Sequence, residues 1–109
     1  MPFDAKLAGR VRKALARQSS LTEREQFGGV GFLIGGNMAV GVLGEDLLVR
    51  VGPDGHEAAV KAPHARPFAL TGRPSKGWVL VGPGGTRSPA ALKKWVDLGV
   101  GFARTLPPK

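Results

Sequence analysis

No cysteine occurs among the 109 residues. Disulfides, thiolate metal sites and a cysteine nucleophile are therefore excluded, and the composition suits a reducing cytoplasm. Acids are scarce: 8 Asp and Glu stand against 16 Lys and Arg, a formal charge of +8. No apolar run approaches the ~20 residues that span a bilayer. The opening Met-Pro-Phe-Asp-Ala-Lys lacks the apolar stretch of a signal peptide. These two absences point to a cytoplasmic protein without a membrane partner. Linkers, repeats and low-complexity tracts are also missing. The chain reads as one domain, long enough to bury roughly two-thirds of its unfolded surface without staples.

Glycine-punctuated apolar runs are what the chain does have. Val30–Ile34, Met38–Leu43 and Leu47–Val51 read as strands, with Gly35-Gly36-Asn37 and Gly44-Glu45-Asp46 as hairpin turns. Alternation puts Met38, Val40 and Val42 on one face, with Leu47, Val49 and Val51, and sends Arg50 to the other. The polar stretch Thr22–Phe27 leads into the first of these strands. Gly28 and Gly29 are expected to bend or bulge one long strand without dividing it. Their bare backbone is either a packing bend or a place where a ligand approaches.

Helices bracket the strands. Asp4 is an N-cap for a helix over residues 4–18, with Leu7, Val11, Ala14 and Leu15 as its apolar stripe. Lys6, Arg10, Lys13 and Arg17 line an adjacent stripe with no acid between them. That row is either a solvated helix face or a phosphate-backbone contact. A short helix starts at Gly52-Pro53-Asp54 and ends before Pro63, with His56 and His64 near its ends as exposed loop histidines. Ser88-Pro89 opens the last helix. There Leu92, Trp95, Val96, Gly99, Phe102, Ala103 and Leu106 recur at steps of three and four, so this helix docks on the sheet. Gly99 suits a close backbone approach; Gly101 has no evident reason.

Two further strands, Arg66–Leu70 and Gly77–Val81, are linked by Thr71-Gly72-Arg73-Pro74-Ser75-Lys76. The link lacks the Gly-x-x-x-x-Gly-Lys-Ser/Thr spacing and the following helix of a nucleotide-hydrolysing loop. Arg73 and Lys76 beside Trp78 could hold an anion or a base; a rigid hairpin over a buried Trp explains the same residues. Arg87 adds a cation in the next turn. No acid, histidine and hydroxyl stand at catalytic spacing, and no zinc or calcium loop pattern is present. The expectation is a protein without enzymatic activity, cofactor or metal.

Phe27-Gly28-Gly29, Phe32-Leu33-Ile34-x-Gly36-Asn37-Met38-Ala39, Leu48-Val49-Arg50-Val51-Gly52 and Thr71-Gly72-Arg73-Pro74-x-Lys76-Gly77-Trp78 occur in that order, followed by an amphipathic helix. Together they resemble the N-terminal domain of the TfoX/Sxy family of bacterial competence regulators over nearly the whole chain. The departures are Gln26-Phe27 where members often carry Lys-Met, and Ser75 where they often carry Met. The resemblance implies an α+β fold of two layers, an antiparallel sheet of about five strands with helices in the order α-β(3)-α-β(2)-α. It also implies a co-regulator acting with a DNA-binding transcription factor on DNA-uptake genes. Full-length members carry a second, C-terminal domain, which these residues do not include.

Three functional readings follow. The first is a non-catalytic module that binds a regulatory protein through a sheet edge or helix face, with homodimerisation as a corollary. The second is direct DNA or RNA binding through Lys6, Arg10, Lys13 and Arg17 with Arg73, Lys76 and Arg87. The third is a small enzyme or ligand carrier with a pocket near Gly28, Gly29 and Trp78.

Overall fold

The computed structural model describes residues 3–26, 28–69 and 74–109. Strands β2 (Gly29–Ile34) and β3 (Asn37–Leu43) are joined by Gly35-Gly36, with φ of 60° and 85°. Positive φ at both central positions is the type I′ geometry whose twist matches a hairpin. The stretch ahead of β2 departs from expectation. The long bent strand is in fact two strands, because β1 (Leu21–Gln26) runs antiparallel to β2 with Gln26 opposite Gly29. Gly28 takes φ of 75°, which permits full reversal where only a bend was expected. After β4 (Asp46–Arg50) come β5 (Ala65–Ala69) and β6 (Pro74–Val81). The described sheet therefore has six strands, not about five, in the order β1-β2-β3-β4-β6-β5, every neighbouring pair antiparallel.

Helix α1 (Ala5–Ala14) starts where expected. The Asp4 carboxylate accepts from the N–H of Lys6 at 2.9 Å and of Leu7 at 3.2 Å. It ends earlier than expected, at Ala14, and turns carry the chain to β1. Helix α2 (His56–Val60) is a short turn of helix that begins after the Gly52-Pro53-Asp54 signal. Helix α3 (Pro89–Ala103) has Ser88 as cap, its hydroxyl accepting from Ala91 N–H at 3.1 Å, and proline in the first turn. None of the described helices is long and apolar enough to cross a membrane.

The three described α-helices pack on one side of the sheet. Leu7 and Val11 from α1, Ala59 from α2, and Leu92, Trp95, Val96 and Val100 from α3 share one buried cluster with Phe32, Val40, Val49 and Val79 from the strands. Trp95 is 8% exposed, as its helical register requires. Leu33 and Leu48 are also buried but stand outside that cluster, on the opposite face. Met38 joins them. The register between β2 and β3 shifts beside Leu33, so Met38 faces Leu33 whereas Val40 faces Phe32. Simple alternation had put Met38 with Val40; the extra residue of a bulge changes its face.

Close backbone contact explains one helical glycine. A Cβ at Gly99 would lie 2.4 Å from the carbonyl oxygen of Ala39, so α3 touches β3 main chain to main chain. Gly101 has open space around it. At the sheet margins, β1 carries Glu23, Arg24 and Glu25, and β5 carries Pro67. Charged side chains and proline both discourage another strand from adding to an edge.

Two stability predictions follow from these contacts. Replacing Gly99 with Ala should destabilise by ~1–3 kcal/mol through overpacking against a backbone atom, whereas Gly101→Ala should stabilise by ~1 kcal/mol through helix propensity; urea titration of both variants measures the difference. The second concerns Glu23, whose carboxyl is held below the usual carboxylate range by hydrogen bonding from Arg12, with partial burial opposing the effect. Because the value is depressed on folding, the pair's contribution is present above the unfolded carboxylate range and lost as pH falls through the folded value. The side chains are 53% and 38% exposed, so that contribution is at most ~1 kcal/mol. Glu23→Gln should show this small deficit near neutrality, and denaturation of the two proteins should converge in acid.

Candidate functional site

The basic row of α1 is divided by its contacts. Arg10 is half-buried, and its guanidinium donates to the carbonyl oxygens of Thr86 at 2.7 Å and Arg87 at 3.2 Å. It ties α1 to the turn that enters α3. Lys6, Lys13 and Arg17 are exposed, Arg17 in the turn beyond the helix. The ion pairs among the described residues are Arg12–Glu23, Arg66–Asp46 and Lys93–Asp97, so none involves the row. Arg87 is exposed and lends its carbonyl to Arg10. Lys76 is exposed on β6, and Arg73 lies outside the described residues.

Trp78 meets a different cation from the ones its sequence neighbours suggest. It is half-buried and sits opposite Arg50 in the β4–β6 register. The Arg50 guanidinium carbon lies 5.0 Å from the Trp78 ring centre and 5.3 Å from that of Phe102. Both distances are within cation–π range. Gly28 and Gly29 stand two strands away: β3 and β4 separate β2 from β6. Gly29 is also covered, since a Cβ there would lie 2.4 Å from Leu43 Cδ2. The three residues therefore do not converge.

The sheet face away from the helices has its own order. One cross-strand row runs Arg24, Gly31, Gly41, Leu48, Leu80, Arg66 through all six strands. Arginine stands at each end, and the middle is apolar or bare. Met38 lies over Gly31 and Leu43 over Gly29, while the Arg50–Trp78 pair extends the face at one end of β4. Arg66 is held by Asp46 across the same face.

The TfoX N-terminal domain family matches residues 13–103. The chain belongs to that family. No curated protein and no solved structure matches it. The matched span leaves out Lys6 and Arg10 and takes in the whole Arg24–Arg66 row and the Arg50–Trp78 pair. The observed α+β order agrees with the resemblance, apart from the additional edge strand.

Sequence reasoning missed two features of this TfoX N-terminal domain. The sequence suggests an exposed loop for His56; it opens α2, is half-buried, and its Nδ1 accepts the Gly77 N–H at 3.0 Å. No sequence pattern marks that pairing, which joins residues 21 positions apart. The other feature is a cavity of about 550 Å³ between α2 and α3. Ala58 and Ala62 form one wall, Trp95 and Leu98 the other, and Lys94 and His64 also line it. The small residues Gly55, Ala58, Ala59 and Ala62 are the signal of it that the sequence offers. Among the described residues no three of His, Asp and Glu gather at one point.

These placements separate a structural cation from the exposed ones. Arg10→Ala should destabilise the domain by ~1–2 kcal/mol, the scale of losing charge-assisted hydrogen bonds. Lys13→Ala should leave stability within ~0.5 kcal/mol. Thermal or urea denaturation distinguishes the two.

Proposed function

We propose that this TfoX N-terminal domain is a non-catalytic binding module that docks a regulatory protein on the sheet face opposite its helices. The observation that carries the reading is the row with Arg24 and Arg66 at its ends and Gly31, Gly41, Leu48 and Leu80 between them. A flat apolar centre flanked by guanidinium groups is the composition of a protein interface, where arginine and aromatic anchors dominate the energetics. The complementary partner has apolar side chains inside an acidic rim. The charge of +8 would speed its approach. Four of the eight acids have other tasks: Asp4 caps α1, while Glu23, Asp46 and Asp97 are paired with cations.

Docking on the face fits better than strand addition, because both edges carry features that resist pairing. It also agrees with the co-regulator role that the family resemblance implies. Direct nucleic-acid binding would instead use Lys6, Lys13 and Arg17, on the other side of the molecule. A photo-reactive amino acid replacing Leu80 should cross-link a protein in the native cell, and the Arg24→Glu, Arg66→Glu double variant should lose that adduct. The same group replacing Lys13 should give none. Nuclease-sensitive adducts, or adducts formed only from position 13, would transfer the function to the helix side.

A further inference from the structure

We infer that the cavity between α2 and α3 binds a small carboxylate with an apolar body. Its volume of about 550 Å³ falls within the range of small-molecule sites, roughly 300–1,000 Å³. The apolar requirement comes from its walls. Ala58 and Ala62 keep the α2 side shallow, and Trp95 and Leu98 face them from α3. Leu98 is 45% exposed, the large hydrophobic side chain that the described fold leaves in water. It lines this cavity and also the adjoining α3 surface beside Lys93 and Asp97.

The charge requirement comes from Lys94. Lysine and histidine are the titratable groups among the lining residues, and no acid lines the cavity. Asp97, the acid one turn along α3, is engaged by Lys93 at 2.7 Å. Lys94, exposed at the mouth of the cavity and on the adjoining α3 surface, appears in none of the described ion pairs, so its ammonium is within the lining without a paired counter-charge. A single carboxylate matches it.

His64, exposed at the rim of the cavity, is the second polar group in its lining. Its φ is 67°, its carbonyl accepts from Gly82 N–H at 2.8 Å, and its ring rests against Gly84, where a Cβ would lie 2.5 Å from Cε1. A rim imidazole can donate to a carboxylate oxygen while the ammonium neutralises the charge. The apolar body then covers Leu98 and the Trp95 ring.

The test uses the full chain with Trp78→Phe, so that Trp95 is the remaining tryptophan, and decanoate as probe with decanol as its uncharged counterpart. Decanoate should change Trp95 emission saturably below about 1 mM, a modest affinity for a ligand of this size. Lys94→Glu should weaken decanoate about tenfold or more while leaving decanol unchanged. Ala62→Phe should abolish both responses, with circular dichroism reporting whether the fold is intact. Lys94→Glu, at an exposed position, gives the decisive comparison if Ala62→Phe fails to fold. No saturable response, or a response indifferent to Lys94→Glu, would overturn the proposal. So would concentration-dependent dimerisation in sedimentation that Leu98→Lys removes, because the occupant would then be a second copy of the chain.

Discussion

Helix α3 lies against the sheet at main-chain distance because residue 99 has no side chain. The Ala39 carbonyl occupies the space a Cβ would need. This contact sets the spacing between the layers, and the rest of the helix follows from it. Leu92, Trp95, Val96 and Val100 enter the common core, while Phe102 reaches Gly52 and the Arg50 guanidinium beyond the end of β4. A bulkier residue at 99 would lift the helix and part these contacts together. Interiors packed at crystal-like density do not absorb such displacements locally.

With every helix on one side, the two surfaces of the molecule differ in kind. The helix side carries the exposed cations of α1 and the cavity beside α3. The bare sheet side carries flat leucines and methionine between arginines. Both sides are basic, but the cations have different settings. Arg10 is bonded to carbonyls, Arg50 to two rings and Arg66 to a carboxylate, whereas Lys13 and Arg17 project into water. Net charge alone would treat them as equivalent; their partners tell them apart.

Much of the frame was legible in the sequence because it rests on local chemistry. Asp4 and Ser88 cap as their spacing indicates, Gly35-Gly36 turns the first predicted hairpin, and Gly99 and Trp95 face the sheet. What escaped depended on distant residues. Gly28 could bend or reverse the chain, and only pairing with β2 selected reversal. The bulge that moved Met38 to the other face is a register choice between two strands. Arg10 looked like one of four equal cations until the turn at Thr86 and Arg87 came to meet it, 76 and 77 positions away. The cavity was least legible, since it arises from the space between small and large residues of different elements. The family resemblance supplied the overall order but not the division of β1 from β2.

Asn37 is 3% exposed at the start of β3, and its side-chain amide donates to the carbonyl of Pro107 at 2.9 Å. Lys109 N–H closes the same junction on Gly35 at 2.7 Å. During synthesis the β2–β3 hairpin leaves the ribosome long before residue 107 does. Until then the Asn37 amide has only water to satisfy it, so burial of that corner must wait for Pro107 to emerge. Sealing of the corner is thus tied to the arrival of Pro107, and a nascent chain stalled short of it carries a hydrated corner where the longer chain has a closed one.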